Sequence, residues 1–189
     1  MSLTLLSGPA VEPLSLAEAK LWLRVDHAEE DDLIAALTTS ARLIVEATAQ
    51  VLLIDQSWRI ALDDWPPARL LELPLRPVRA LQAVRVFAAD GTSELLASAE
   101  FAFDAALHRP RLALPAGAPG PGRALAGIQI DLLVGFGAGP ADVPEPLRQA
   151  MRLLVARWYE RRGDAADDAR RLPADVAALV APWRRMRIA

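Results

Sequence analysis

The residues of this chain that could do chemistry are few and far apart. Cysteine is absent, so no thiolate nucleophile, disulfide or thiolate metal site is available, and a reducing compartment is the default setting. The two histidines, His27 and His108, are 81 residues apart. "HAEEDD" surrounds His27 with carboxylates, but the chain has no His-Glu-x-x-His and no His pair at helical spacing. That run reads as the acidic start of a helix, where negative charge meets the positive end of the helix dipole. "GFGAGP" (135–140) is a glycine-rich turn before a helix, the kind of place where phosphate binds. Its Gly-x-Gly-x-Gly spacing is neither a dinucleotide fingerprint nor a phosphate loop with its Lys-Ser/Thr, and Asp142 and Glu145 would repel an anion. It reads as a flexible joint between sheet and helix. No serine sits in a Gly-x-Ser-x-Gly elbow, and Asp63-Asp64 and Asp167-Asp168 read as solvated surface. The expectation is a protein that is not an enzyme, with no catalytic, metal-binding or cofactor-binding residues.

Arginine is the reagent in excess. Of 21 basic residues only Lys20 is lysine. The planar guanidinium fork suits carboxylates, phosphates and interface ion pairs, although the abundance of Ala and Pro also fits a GC-rich coding bias. From residue 148 onward ten arginines face five acids, while the whole chain carries a formal charge of -3. A basic C-terminal quarter on an acidic protein points to a partner surface. "DVPEPLRQAMRLLVARWYERRGD" (142–164) concentrates it, with Arg148 and Arg152 one turn apart on a helix and Arg161 and Arg162 following. Nucleic acid is the alternative partner, through a DNA-binding module built on this Arg-rich face. The net negative charge and the lack of stacking aromatics among the arginines weigh against it.

Three zones must position these residues. Residues 1–50 read as N-terminal helices of a bundle. Ser15 with Glu18 forms a capping box before "LAEAKLWLRV", whose buried side is Leu16, Ala19, Leu23 and Trp22. A long helix follows, with Leu33, Ile34, Leu37, Ala41, Ile44 and Val45 on its core face. Residues 51–139 read as a β-rich insertion. "SWRIAL" (57–62), "LLEL" (70–73), "LQAVRVFA" (81–88), "ELLA", "EFAF", "RLAL" and "GIQIDLLVGF" (127–136) are short strands, "ADGT" is a hairpin turn, and "PAGAPGPG" (115–122) is a flexible loop. Residues 140–189 read as C-terminal helices, with Asp142 as an N-cap, Gly163 as a stop, and a basic, apolar terminal tail. The fold class is α+β, a helical bundle with an inserted small antiparallel β domain. No apolar run is long enough to span a membrane, and no signal peptide is evident at the N-terminus.

Taken in order, "PLSLAEAKLWLRV", "PLRPVRALQAVRV", "ADVPEPLRQAMRLLVARWYERR" and the ending "LVAPWRRMR" resemble the phage head–tail connector (adaptor) family. The resemblance is to its branch with a β insertion, found also in prophages and gene transfer agents, and it covers nearly the whole chain. It implies a structural protein of the virion or phage-like particle, assembled in the bacterial cytoplasm. Such a protein forms a homo-oligomeric ring of about twelve copies beneath the portal protein, extends the channel through which genomic DNA passes, and docks the tail or stopper protein. It also implies that the terminal segment Pro182, Trp183, Arg184, Arg185, Met186, Arg187 and Ile188 reaches the portal. Arg148, Arg152, Arg161 and Arg162 would then lie at subunit interfaces.

Overall fold

The computed structural model describes residues 1–161 and 172–184. These divide into two compact units, a sheet unit of Met1–Pro9 with Asp55–Gly135 and a helical unit of Ala10–Ile54 with the described residues from Phe136 onward. The fold is α+β, as the sequence predicts.

The sheet unit holds eight strands: β1 (Ser2–Ser7), β2 (Gln56–Leu62), β3 (Leu70–Glu72), β4 (Val78–Phe87), β5 (Ser93–Leu96), β6 (Ala102–Asp104), β7 (Arg111–Ala113) and β8 (Ile128–Val134). Five form an antiparallel sheet in the order β1-β2-β8-β4-β5, and three form a smaller one, β3-β7-β6. The period of two explains why β8 is central. Ile128, Ile130, Leu132 and Val134 all point to one face and are fully buried, and Ile130 lies opposite Ile60 of β2 and Val84 of β4. The β4–β5 hairpin turns at the predicted Asp-Gly. Gly91 has φ of 87°, and Asp90 Oδ1 accepts from the Thr92 N–H at 2.9 Å and its hydroxyl at 2.7 Å.

Two sequence expectations change here. Residues 1–9 belong to the sheet unit, not with the helices, because "SLTLLS" pairs along β2 from Ser2 opposite Ala61 to Ser7 opposite Ser57. The alternation of this run covers only Ser2 to Leu5 and buries none of its residues, so its pairing partner decides its state. The loop 115–122 is also tied down. The Trp65 Nε1–H donates to the Pro119 carbonyl at 2.7 Å, and the Gly122 N–H to the Phe87 carbonyl at 2.8 Å. Gly122 lies so close to β4 that a Cβ would sit 2.4 Å from the Ala89 nitrogen.

The helical unit contains α1 (Leu16–Leu23), α2 (Asp31–Ala49), α3 (Glu145–Glu160) and α4 (Ala174–Val180). Its core includes Leu14, Ile34, Ala41, Val45, Leu53, Leu147, Met151, Leu154, Val176 and Val180. The capping box of α1 forms as read, with Glu18 N–H to Ser15 Oγ at 3.2 Å and Ser15 N–H to Glu18 Oε2 at 3.0 Å. Asp142, in contrast, does not cap α3. It ends a 3-10 turn (Pro140–Asp142), and α3 begins after Pro144, with Pro146 in the first turn where no N–H is required. The expected stop at Gly163 lies outside the described residues. Trp22, Leu33 and Ile44, read as buried, are exposed.

Candidate interaction surfaces

The α3 arginines serve this subunit's own fold. The Arg148 side chain is only 14% exposed. Its Nε donates to the Pro13 carbonyl at 3.1 Å, its Nη1 to Glu145 at 3.1 Å, and its Nη2 to Glu18. One guanidinium thus ties α3 to the entry of α1. Burial works against the Glu18 carboxylate, but the Ser15 N–H and hydroxyl and the Arg148 charge together hold its pKa below the ordinary range. Arg152, also mostly covered, pairs with Glu145 and reaches Gln149 Oε1 at 3.3 Å. Arg157 pairs with Asp175 of α4 at 3.2 Å. Arg161 follows the last turn of α3 and is exposed, while Arg162 lies outside the described residues.

The terminal segment is divided in the same way. Trp183 stacks edge-on against Phe136 at 5.5 Å between ring centroids and packs on the helical core. Its ring is therefore used inside the subunit, whereas Pro182 and Arg184 are exposed. Arg185, Met186, Arg187 and Ile188 lie outside the described residues.

Two charge clusters were not legible in the sequence. On the sheet face opposite the β8 core residues, Asp131 accepts from Arg59 at 2.6 and 2.8 Å and from Arg85 at 2.7 Å. The Arg59 hydrogen bonds, opposed by burial and reinforced by Arg85, hold the Asp131 pKa below the usual carboxylate range. The partners are 72 and 46 residues distant from Asp131, so only strand register brings them together. In the helical unit, the α2 residues Arg42 and Glu46 are both buried and pair at 3.0 Å. Arg42 also pairs with Glu12 at 2.8 Å, and Glu46 Oε1 accepts the Leu53 N–H at 2.9 Å. Burial pushes the Glu46 carboxyl up, against the Leu53 N–H and Arg42. Helical period alone cannot show that α2 turns its charges inward, because four-residue spacing is equally that of a solvated ion pair.

The candidate reagents do not converge. The turn at Gly137 and Gly139 is filled by an acid. Asp142 Oδ2 accepts the Gly139 N–H at 3.0 Å, and a Cβ on Gly137 would stand 2.2 Å from that oxygen. A carboxylate occupies the space that the phosphate reading would need. It also makes the turn a built structure and not a flexible joint. His27 pairs with Glu29 at 2.9 Å at an exposed site, and His108 Nδ1 lies 3.2 Å from Arg76. Among the described residues no group of three or more His, Asp or Glu side chains could hold a metal ion. No described helix is long and apolar enough to cross a membrane. A shallow groove is lined by Glu18, Leu21, Trp22, Arg24 and Arg152.

No family model and no curated protein sequence matches the chain. Solved structures do. A chain of the virion of a native gene transfer agent particle is 30% identical, with a TM-score of 0.84 over 100% of this chain and 98% of that one. This chain belongs to the same family as that virion chain. Two other chains of gene transfer agent particles have the same fold at the same coverage. One, from the neck of an empty particle computed with C6 symmetry, is 29% identical with a TM-score of 0.81. The other, from the neck of a native particle computed with C12 symmetry, is 28% identical with a TM-score of 0.80. The family fold thus extends over both units, and neither is an addition peculiar to this sequence.

Proposed function

We propose that this protein is a structural, non-enzymatic component of the neck of a phage-like particle. It acts as a head–tail connector, an adaptor ring beneath the portal that extends the DNA channel and docks the tail or stopper. The observation that carries the reading is end-to-end likeness, including β unit and terminal helices, to two neck chains at 28–29% identity and a virion chain at 30%. C6 and C12 symmetry in the related necks supports a homo-oligomeric ring, with twelve copies as the natural count. The side chains are consistent with a scaffold. Arg148, Arg152 and Arg157 have intrachain carboxylate partners, which leaves the α3 face a weak phosphate surface. A channel through which DNA slides should not grip it, so the DNA-binding alternative gains nothing from this face.

The terminal segment is proposed to reach the portal, with Arg184 onward as the reaching part because Trp183 is engaged by Phe136. Electron microscopy of particles from producing cells tests the whole reading. The expected result is this chain in the neck, and necks that lose their tails when its gene is removed. Normal tailed particles without the chain would sink the proposal. A chain ending at Trp183 should fold with an unchanged thermal midpoint yet fail to join the portal, and normal joining would remove that role from the terminus.

A further inference from the structure

Helix α2 shows apolar residues on both its faces and keeps its later charges on the inner one. A helix on the surface of a soluble subunit buries an apolar stripe and shows charge to water. After Asp32, α2 has only two charged side chains, Arg42 and Glu46, and both are buried. Its outward residues are Leu33, Ala36, Ser40, Leu43, Ile44 and Ala47, all exposed and none charged. Leu43 is 54% exposed. The nineteen residues of α2 make the helix about 28 Å long. Beyond the acidic first turn the uncharged face runs over residues 33–47, about 22 Å, and such a face marks a protein contact and not a solvated flank. The inward charges are not misplaced, since besides pairing with each other they have Glu12 and the Leu53 N–H as hydrogen-bond partners.

We infer that the outer face of α2 docks against a second copy of this chain, the neighbour in the ring. This rests on the ring proposed above and names the surface that builds it. In the related necks, computed with C6 and C12 symmetry, neighbours repeat around an axis. A closed ring is made by head-to-tail contacts, in which each copy offers one surface to the copy ahead and a different one to the copy behind. The long neutral face of α2 suits such a permanent contact. It carries no charge to be stripped of water, and small residues beside leucines let a neighbouring element approach closely.

The chain has no cysteine, so Leu43→Cys creates a single attachment point for a maleimide–benzophenone photocrosslinker. Full-length labelled protein is incorporated into particles and irradiated. The expected product is a chain–chain adduct at twice 20.4 kDa. Adducts to any other particle protein, or none, would overturn the docking. Separately, Leu43→Glu should stay folded, with an unchanged thermal midpoint, and lose at least tenfold in incorporation, and normal incorporation would also overturn it. The two readings fail differently. A labelled chain present in the neck but crosslinked elsewhere sinks only the α2 contact. Chain–chain adducts from a protein absent from the neck sink only the connector reading.

Discussion

At the scale of single residues, the molecule uses arginine as internal stitching. Arg148 is the clearest case, since one guanidinium meets a carbonyl and two carboxylates. Arg148→Ala should lower stability by about 1–3 kcal/mol, because it strands the Pro13 carbonyl and releases Glu18 and Glu145. Arg148→Lys should recover little of this, since one ammonium cannot hold the three acceptors of a planar fork. Denaturant midpoints of the two variants check the difference. Asp131 makes a prediction about pH. Its pKa is lowered in the folded state by Arg59 and Arg85, so the folded protein holds its proton less tightly than the unfolded chain does. The stabilisation is therefore present above the unfolded value of about 3.9 and is lost as pH falls through the lower folded value. Glu18 acts in the same direction. Asp131→Asn should lower the thermal midpoint at pH 7 and flatten its fall between about pH 5 and pH 2. A wild-type slope in the variant would show that the cluster carries none of the acid sensitivity.

Secondary-structure elements show where sequence patterns are sufficient. The strands of residues 56–134 were readable because alternation and turn chemistry agree, as in β8 and in the Asp90-Gly91 hairpin. Ile130 is central to that pattern, buried between Ile60 and Val84. Ile130→Ala should cost about 2–5 kcal/mol, well above any exposed substitution in β1, and urea unfolding would measure it. The capping box of α1 was readable because it is a local rule. The patterns failed where a distant partner decides. β1 has no charge and alternates over only four residues, and its pairing with β2 makes it a strand. In α2, apolar residues recur on two sides of the helix, and the sequence reading took Leu33 and Ile44 for core. The structure instead buries Thr38, which donates to the Ile34 carbonyl, and Arg42 and Glu46, because Glu12 and the Leu53 N–H wait on the inner side. Asp142 failed as a cap because its carboxylate accepts the Gly139 N–H and α3 starts further on, after Pro144.

For the whole molecule, the candidate site is a set of surfaces, and the described His, Asp and Glu side chains include no group that could hold a metal ion. The sequence marks the C-terminal arginines as a partner surface, but it does not show that Arg148, Arg152 and Arg157 already hold carboxylates within the subunit. A basic quarter on a chain of net charge -3 reads as a partner surface, and ion pairs closed within the subunit cannot be seen without the fold. This has a measurable consequence for DNA. A protein that grips phosphate with several free arginines loses affinity steeply with salt, at a slope close to 0.9 per phosphate contact on a logarithmic scale. Here Arg148, Arg152 and Arg157 each hold a carboxylate, so contact with phosphate would require those pairs to open. Among the described residues of this quarter, Arg161 and Arg184 are the exposed arginines outside those pairs, so the isolated full-length protein should bind duplex DNA weakly at low salt, with a slope of about two contacts. Fluorescence anisotropy with a short duplex between 25 and 200 mM salt distinguishes the cases. A slope of six or more would return the C-terminal face to nucleic acid. A shallow one leaves the DNA free to slide past a ring held together by protein contacts.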